Sequence, residues 1–300
     1  MEDQPQPGVC TWLEPGLRRV LAPNPSPMTL WGTNSYLVGE GEVALIDPGP
    51  GLESHAEALL AALAPGERIG VILVTHSHRD HSSLAGAIAA RTGAEVLAFG
   101  PSGVGRSPAM VALAESGLAG GGEGVDEGFA PTRRLADGEA LQGPGWGVIE
   151  ALHTPGHFGN HLCLAWGDRC FSGDHVMGWS SSLVSPPDGD MSDYMASLER
   201  LAARAWRVLH PGHGLPVTDP AGRLAWLARH RRERETQLIE ALRPAPLPLP
   251  ELTRRVYLDT PPALLPAAER NVLAHLTDLV TRGRVSLQTG HGPGILFALE

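Results

Sequence analysis

Short apolar runs separated by turn formers dominate the first half of the chain. Residues 17–22, 35–38 and 43–46 are such runs, with Gly39-Glu40-Gly41 between the last two, and the pattern predicts a strand meander. Asp47-Pro48-Gly49-Pro50-Gly51 then breaks the chain, after which residues 52–64 carry Leu59, Leu60 and Leu63 at helical spacing. An apolar run over 71–74 reads as a buried strand ending abruptly at Thr75, and a helix over 82–91 and a strand over 95–99 follow it. Strands alternating with helices place the chain in the α/β class.

Residues 100–134 have a different texture. Gly103, Gly105, Gly117 and Gly120-Gly121-Gly122 surround one helical stretch, 108–116, which predicts a mobile loop or lid, with a plain surface insertion as the alternative. Strands near 148–152, 161–166 and 169–172 and a helix over 192–205 form a second half. From Pro220 a helical pattern runs through Leu242, and Pro244-Ala245-Pro246-Leu247-Pro248-Leu249-Pro250 reads as a joint. Helices over 251–257 and 267–282 and strand-like pieces over 285–288 and 295–299 then fit a small winged-helix-like module. The division expected is a catalytic domain, residues 1–219, and a connecting helix with its C-terminal module, residues 220–300.

With 300 residues, 42% of them hydrophobic and 19% charged, the chain is long and apolar enough to bury a sizeable core. Its formal charge of −10 opposes unguided binding to nucleic acid or anionic lipid. Residues 240–300 hold six arginines against six acidic residues, so the module has no basic footprint and a structural or homo-oligomer contact is expected of it. All 23 cationic side chains are arginine, which removes Schiff-base lysines, P-loop lysines and Ser-Lys dyads. Cys10, Cys163 and Cys170 are odd in number and too few for a disulfide framework, so they are expected as buried thiols in a reducing cytoplasm. Residues 1–7 show no signal-peptide pattern, and no stretch approaches the roughly 18 apolar residues of a membrane span.

The segment that changes the picture is Thr75-His76-Ser77-His78-Arg79-Asp80-His81, placed after a buried strand and before a helix. Imidazoles and a carboxylate without cysteine suit Zn²⁺, with Mn²⁺ or Fe²⁺ as alternatives. A turn at the C-terminal end of a strand can aim such side chains into a cleft. Thr154-Pro155-Gly156-His157, Ser172-Gly173-Asp174 and Pro211-Gly212-His213-Gly214 are three further tight turns, each able to present one histidine or aspartate at the same edge of the fold. Together the four pieces supply seven candidate ligands: His76, His78, Asp80, His81, His157, Asp174 and His213.

This HxHxDH motif with its separated His, Asp and His resembles the metallo-β-lactamase superfamily. The resemblance implies a four-layer αββα sandwich with a dinuclear metal site at one edge of its two sheets. It implies that His76, His78 and His157 bind a first ion, that Asp80, His81 and His213 bind a second, and that Asp174 bridges them. Gly32-Thr33-Asn34-Ser35-Tyr36-Leu37, residues 171–178, Tyr194-Met195-Ala196-Ser197-Leu198 and the C-terminal module are similar to the lactamase-beta-like protein 2 branch. That branch includes animal members acting on single-stranded RNA and is related to fungal thioesterases of polyketide pathways, so the resemblance leaves the substrate open.

Seven ligands for two ions leave positions for water, as a catalytic site requires. Two divalent cations can acidify a shared water and polarise a carbonyl or phosphoryl oxygen, and Asp80 can steer that water through a hydrogen bond. The reaction expected is hydrolysis of an ester-like or thioester bond in a small molecule. RNA phosphodiester cleavage is the alternative, and a mononuclear iron sulfur dioxygenase is the alternative from another class; a nucleic-acid-binding regulator is a further one. The run Arg229-His230-Arg231-Arg232-Glu233-Arg234-Glu235 reads as a solvated helix face rather than an RNA contact. Asn34, His175, Trp179 and Tyr194 are candidate substrate contacts, and His153 is a candidate support for His157. His55, His210, His230, His275 and His291 have no partner visible in the sequence.

Overall fold

A strand that is apolar on both faces must be covered on both sides, and that requirement builds the layers. The computed structural model describes residues 4–116, 122–289 and 295–300. The first sheet takes its strands in chain order: β1 (Cys10–Glu14), β2 (Leu17–Leu21), β3 (Asn34–Val38), β4 (Glu42–Ile46), β5 (Arg68–Leu73), β6 (Glu95–Ala98) and β7 (Arg133–Arg134). It is antiparallel as far as β4 and parallel from there on. Helices α1 (Glu53–Ala61), α2 (Arg79–Ser82), α3 (Ala85–Thr92) and α4 (Pro108–Ser116) are interleaved with it. The second sheet, in the order β12-β11-β10-β9-β8, comprises β8 (Ala140–Gly143), β9 (Gly147–His153), β10 (Leu162–Trp166), β11 (Arg169–Gly173) and β12 (Val208–Pro211), with α5 (Met191–Ala202) between the last two.

Alternation along single strands shows how the layers stack. In β4, Val43 and Leu45 pack with Leu59 of α1 and Ile88 of α3, while Ala44 and Ile46 face the second sheet. In β10, Leu162 and Leu164 meet that inter-sheet core, while Cys163 and Ala165 turn outward to Leu198 of α5 and Leu224 and Leu227 of a long helix, α6 (Pro220–Leu242). The result is the expected αββα sandwich. Further along α6, Leu238 and Leu242 join a separate core with α7 (Leu249–Val256), α8 (Leu265–Thr281) and the small sheet β13-β15-β14, formed by β13 (Leu247–Pro248), β14 (Val285–Thr289) and β15 (Ile295–Leu299). One helix therefore belongs to both cores. No helix among the described residues is long and apolar enough to cross a membrane.

Several sequence expectations need correction. The predicted helix over 82–91 begins three residues later, as α3, and a separate turn of helix, α2, precedes it over the histidine motif; the Leu84 amide donates to the Gly49 carbonyl in the loop after β4, which separates the two. The proline-rich joint is structured: Leu247 pairs with Phe297 as a strand, and Leu249-Pro250 opens α7, where a first-turn proline costs no hydrogen bond. Cys163 and Cys170 are buried, but Cys10 is only half-buried on an edge strand. Of the glycine-rich 100–134 segment, Gly117, Gly120 and Gly121 lie outside the described residues, as does His291. The described part is tied down, with Arg106 paired to Asp188, Ser107 Oγ donating to Asp190 at 2.6 Å, and the Gly122 amide donating to Asp188 at 2.9 Å.

Candidate metal centre

Each candidate ligand leaves the end of a strand or the turn beyond it, and each is aimed by a second group. Asp47, directly after β4, sits at a positive φ of 50° and commits its carboxylate to the neighbouring turn: Oδ1 accepts from the Thr75 amide at 2.7 Å and Oδ2 from the Thr75 hydroxyl at 2.8 Å. The Thr75 proton is thus engaged, so His76 Nδ1–H donates to Thr75 Oγ1 at 3.0 Å and its Nε2 is left to face the site. Asp47 Oδ2 also takes the Nδ1–H of His81 at 2.8 Å. His157 Nδ1–H donates to the Leu183 carbonyl at 2.6 Å, and His213 Nδ1–H to the Gly32 carbonyl at 3.1 Å. Four imidazoles are fixed in the tautomer that presents Nε2.

The atoms so presented gather in two groups. His76 Nε2 and His157 Nε2 lie 2.9 and 3.1 Å from His78 Nδ1, and Asp174 completes this set. His213 Nε2 and His81 Nε2 lie 3.3 and 3.4 Å from Asp80 Oδ2. Asp174 also reaches the second group, at 3.2 Å from His213 Nε2 and 3.5 Å from His81 Nε2. Such proximity needs Gly212, because a side chain there would press on Asp174 Oδ1 at 2.4 Å and on the His81 ring at 2.6 Å. His81 Nε2 and Asp174 Oδ1 are buried without a hydrogen-bond partner. Buried polar atoms orphaned in this way, in an all-imidazole and carboxylate set, fit divalent cations that would take the place of any proton there.

The electrostatics divide along the same line. Burial, reinforced by the neighbouring imidazoles, holds His76 well below its ordinary pKa, and burial with His157 beside it brings His78 down to about 3. His157 is also lowered, by burial. Burial pushes His81 and His213 the same way, but carboxylates outweigh it: Asp80, Asp174 and Asp47 hold His81 well above its ordinary value, and Asp174 and Asp80 bring His213 to about 9. Asp80 and Asp174 resist burial because these imidazoles keep them below the usual carboxylate range. The three imidazoles of the first group are thus neutral, whereas those of the second are held in their protonated form by the carboxylates around them.

Above the cluster opens a cavity of about 480 Å³ with His78, Asp80, His157, Asp174 and His213 on its floor. Trp179, one of the four candidate substrate contacts, lines it. The other three do not and are corrected. Asn34 is fully buried, its amide donating to the Pro211 and Gly214 carbonyls at 3.0 and 2.9 Å, so it braces the turn carrying His213. Tyr194 is buried with its hydroxyl on the His175 carbonyl at 3.2 Å, and the His175 ring packs beneath it. His153 stacks on Phe99 and reaches the Gly159 carbonyl, so it supports the turn after His157 but not its ring. Among the remaining histidines, His55 bonds Ser35 Oγ, His230 stacks on Trp226 and His210 packs between Tyr36 and Phe171.

Two contributors escape a reading of the sequence. Asp47 is legible there only as a chain breaker, although a carboxylate closing the strand beside the one that leads into the histidine motif is a signal for a ligand-orienting group. Thr33, whose hydroxyl donates to Asp80 Oδ2 at 3.0 Å, lies far from Asp80 in the sequence and has no signal of its own.

The comparisons with known proteins agree with this geometry. Residues 28–213 match the model of the metallo-beta-lactamase superfamily, and residues 249–291 that of the beta-lactamase associated winged helix domain. The chain is 32% identical to the beta-lactamase-like protein 2 homolog of Drosophila melanogaster, over 92% of this chain and 91% of that one. It is 32% identical to an atrochrysone carboxyl ACP thioesterase of Aspergillus chevalieri, over 77% of this chain and 67% of the relative. A metallo-beta-lactamase family protein of Thermus thermophilus superposes with a TM-score of 0.76 at 27% identity, covering 96% of this chain and 100% of the other.

Proposed function

The chain belongs to the metallo-β-lactamase superfamily, and from that premise we propose that it is a dinuclear metal-dependent hydrolase of thioester or ester bonds in small molecules. His76, His78 and His157 would hold one divalent cation and Asp80, His81 and His213 the other, with Asp174 between them. Zn²⁺ suits this donor set best. When bound, such a pair supplies an acidified water as nucleophile and a Lewis acid for the scissile carbonyl oxygen.

The chain's own residues prepare that chemistry. Asp80 is the one side chain of the second group with appreciable access to the cavity, at 27% exposure, and its ionised carboxylate suits it to accept a hydrogen bond from the attacking water. His213 and His81, anchored through Nδ1 to Gly32 and Asp47, have Nε2 committed to the centre. The complete trio Asp80, His81 and His213 favours two ions over the single iron of a sulfur dioxygenase.

One observation carries the choice of substrate. Among the described residues lining the cavity there is no arginine, and the chain has no lysine. A phosphodiester strand is bound through cationic side chains along its backbone, whereas an uncharged acyl group needs none. The thioesterase named among the relatives supports the same reading. The experiment is elemental analysis of protein purified without added metal, with parallel assays on a panel of thioesters and esters, bis-(p-nitrophenyl) phosphate and a short single-stranded RNA. Two ions per chain with thioester or ester turnover is the expected result. RNA cleavage by that protein, or a single iron with oxygen uptake on a persulfide, would overturn it.

A further inference from the structure

The floor of the cavity and its far wall come from different parts of the chain. Leu264, Ala267 and Ala268, contributed by the turn before α8 and by α8 itself, line the same cavity as the ligand cluster, together with Met28, Met177 and Trp179. Most of the lining surface is apolar, although Thr29, Ser180, Ser181 and Thr260 also border it, and a site of about 480 Å³ takes an organic molecule of modest size whose body gains most from burial where it is apolar. We propose that α8 and its preceding turn are the acyl-binding wall of this enzyme, so that the C-terminal module selects the length and breadth of the acyl group whose carbonyl is presented to the ligand cluster. The proposal rests on the hydrolase reading above and names the part of its substrate that the protein recognises.

The residue types on α8 support this assignment. Two adjacent alanines at the cavity surface leave space that larger side chains would fill, and Ala268 is nevertheless buried against neighbouring residues. Glu123, the one lining side chain charged outside the floor, is paired with Arg270 of α8. Away from the ligand cluster, the described lining therefore offers no unpaired charge to a polar acyl group.

The wall is also fastened to the chemistry. Arg231 of α6, 1% exposed, donates to the Asn271 side-chain oxygen on α8 at 3.2 Å and to the Ser182 carbonyl. The same Asn271 oxygen accepts from the Val184 amide at 3.0 Å. Leu183, between them, lines the cavity with its side chain and holds His157 Nδ1 with its carbonyl. One short loop thus joins the module wall to a ligand of the cluster, which fixes the distance between an acyl chain lying along α8 and its reacting carbonyl.

The test compares S-acetyl and S-decanoyl N-acetylcysteamine as substrates and uses the non-hydrolysable thioether S-decyl-N-acetylcysteamine as a binding probe, followed by calorimetry. Ala267→Phe fills the wall and should lower the decanoyl-to-acetyl ratio of kcat/KM by about tenfold or more, with a matching loss of thioether affinity. Leu264→Ala, which removes atoms and is insured against misfolding by overpacking, should move the preference towards longer chains. Unchanged ratios in both variants, or equal thioether binding by the wild type and Ala267→Phe, would overturn the proposal while leaving the hydrolase intact. Thioether binding that Ala267→Phe abolishes, in a protein carrying two ions that turns over no thioester or ester, would uphold the wall and sink the hydrolase.

Discussion

The two groups of candidate ligands sit side by side on one cavity floor, yet they are built on opposite electrostatic principles. His76, His78 and His157 are held neutral, chiefly by burial, and the Nε2 atoms of His76 and His157 converge on His78 Nδ1 within hydrogen-bond distance. Asp80, His81 and His213 alternate in sign and hold protons that the first group refuses. A cation entering the first group meets imidazoles that are already neutral. One entering the second must displace protons from imidazoles that carboxylates hold. The lesson is that the protonation of neighbouring imidazoles is set in opposite directions according to whether carboxylates or other imidazoles surround each ring.

The largest expected effect comes from disabling the second group. His213→Ala takes away the ring that faces both Asp80 and Asp174 and should leave one ion bound, with turnover reduced by several orders of magnitude and the fold retained. Elemental analysis alongside steady-state kinetics checks this, and full activity with one ion would end the dinuclear scheme. Next is Asp47→Asn, which keeps the shape of the loop but weakens the grip on His81 Nδ1–H. Affinity for the second ion should fall about 10–100-fold in a competitive chelator titration. Part of any loss at the first ion would travel through Thr75, which Asp47 shares with His76, so a larger loss there would reverse the comparison.

The seven candidate ligands that the structure gathers were readable from the sequence because four of them lie between positions 76 and 81, directly after an apolar strand run, and the other three sit in turns marked by glycine or proline. The α/β class was readable from strands alternating with helices, whereas the αββα layering was expected from the family resemblance that the ligand motif carries; runs such as Val43 to Ile46 and Leu162 to Ala165, apolar on both faces, fit the central layers of that sandwich. What stayed hidden depends on contacts between distant segments. Thr33 meets Asp80, and Arg231 meets Asn271, across separations that no local pattern encodes. Asn34 and Tyr194 looked available for substrate because polar side chains beside a ligand turn invite that reading, whereas their hydrogen bonds are already made to carbonyls of the turns that carry His213 and His175. Strands β7, an exposed Arg-Arg pair, and β8 gave no apolar alternation to detect.

The pH response of the metal-free protein separates the two groups without any assay of turnover. His213 is raised from 6.5 to about 9, so the stability it lends is complete below pH 6.5 and is lost as the pH climbs through 9. His78, lowered to about 3 by burial and His157, acts the other way: the unfolded chain gains a proton that the folded chain refuses, and stability is lost as the pH falls from 6.5 towards 3. Burial gives His55, at about 4, the same sign. Thermal unfolding of chelator-treated protein should therefore show its highest Tm near pH 6.5. Ion binding should flatten the alkaline limb, since a bound cation replaces the protons on His81 and His213. An alkaline limb unaltered by His213→Ala would mean that the protons assigned to the second group reside elsewhere.

The smallest effect probes how finely the second group is set. Thr33 Oγ1 accepts from the Asn24 side-chain amide at 3.0 Å and donates to Asp80 Oδ2, so the chain Asn24–Thr33–Asp80 fixes one oxygen of the carboxylate that faces the cavity. Thr33→Val preserves the shape but ends both bonds. A single hydrogen bond of this kind contributes about 1 kcal/mol, with bonds to charged groups somewhat above that, which corresponds to a loss in kcat/KM of roughly five- to tenfold. Because Thr33 does not touch His76, His78 or His157, the first ion should be retained at full occupancy and the whole loss should appear in turnover and second-ion affinity. Equal weakening of both ions would show that the two groups respond as one unit, and the contrast between them would then be electrostatic without being functional.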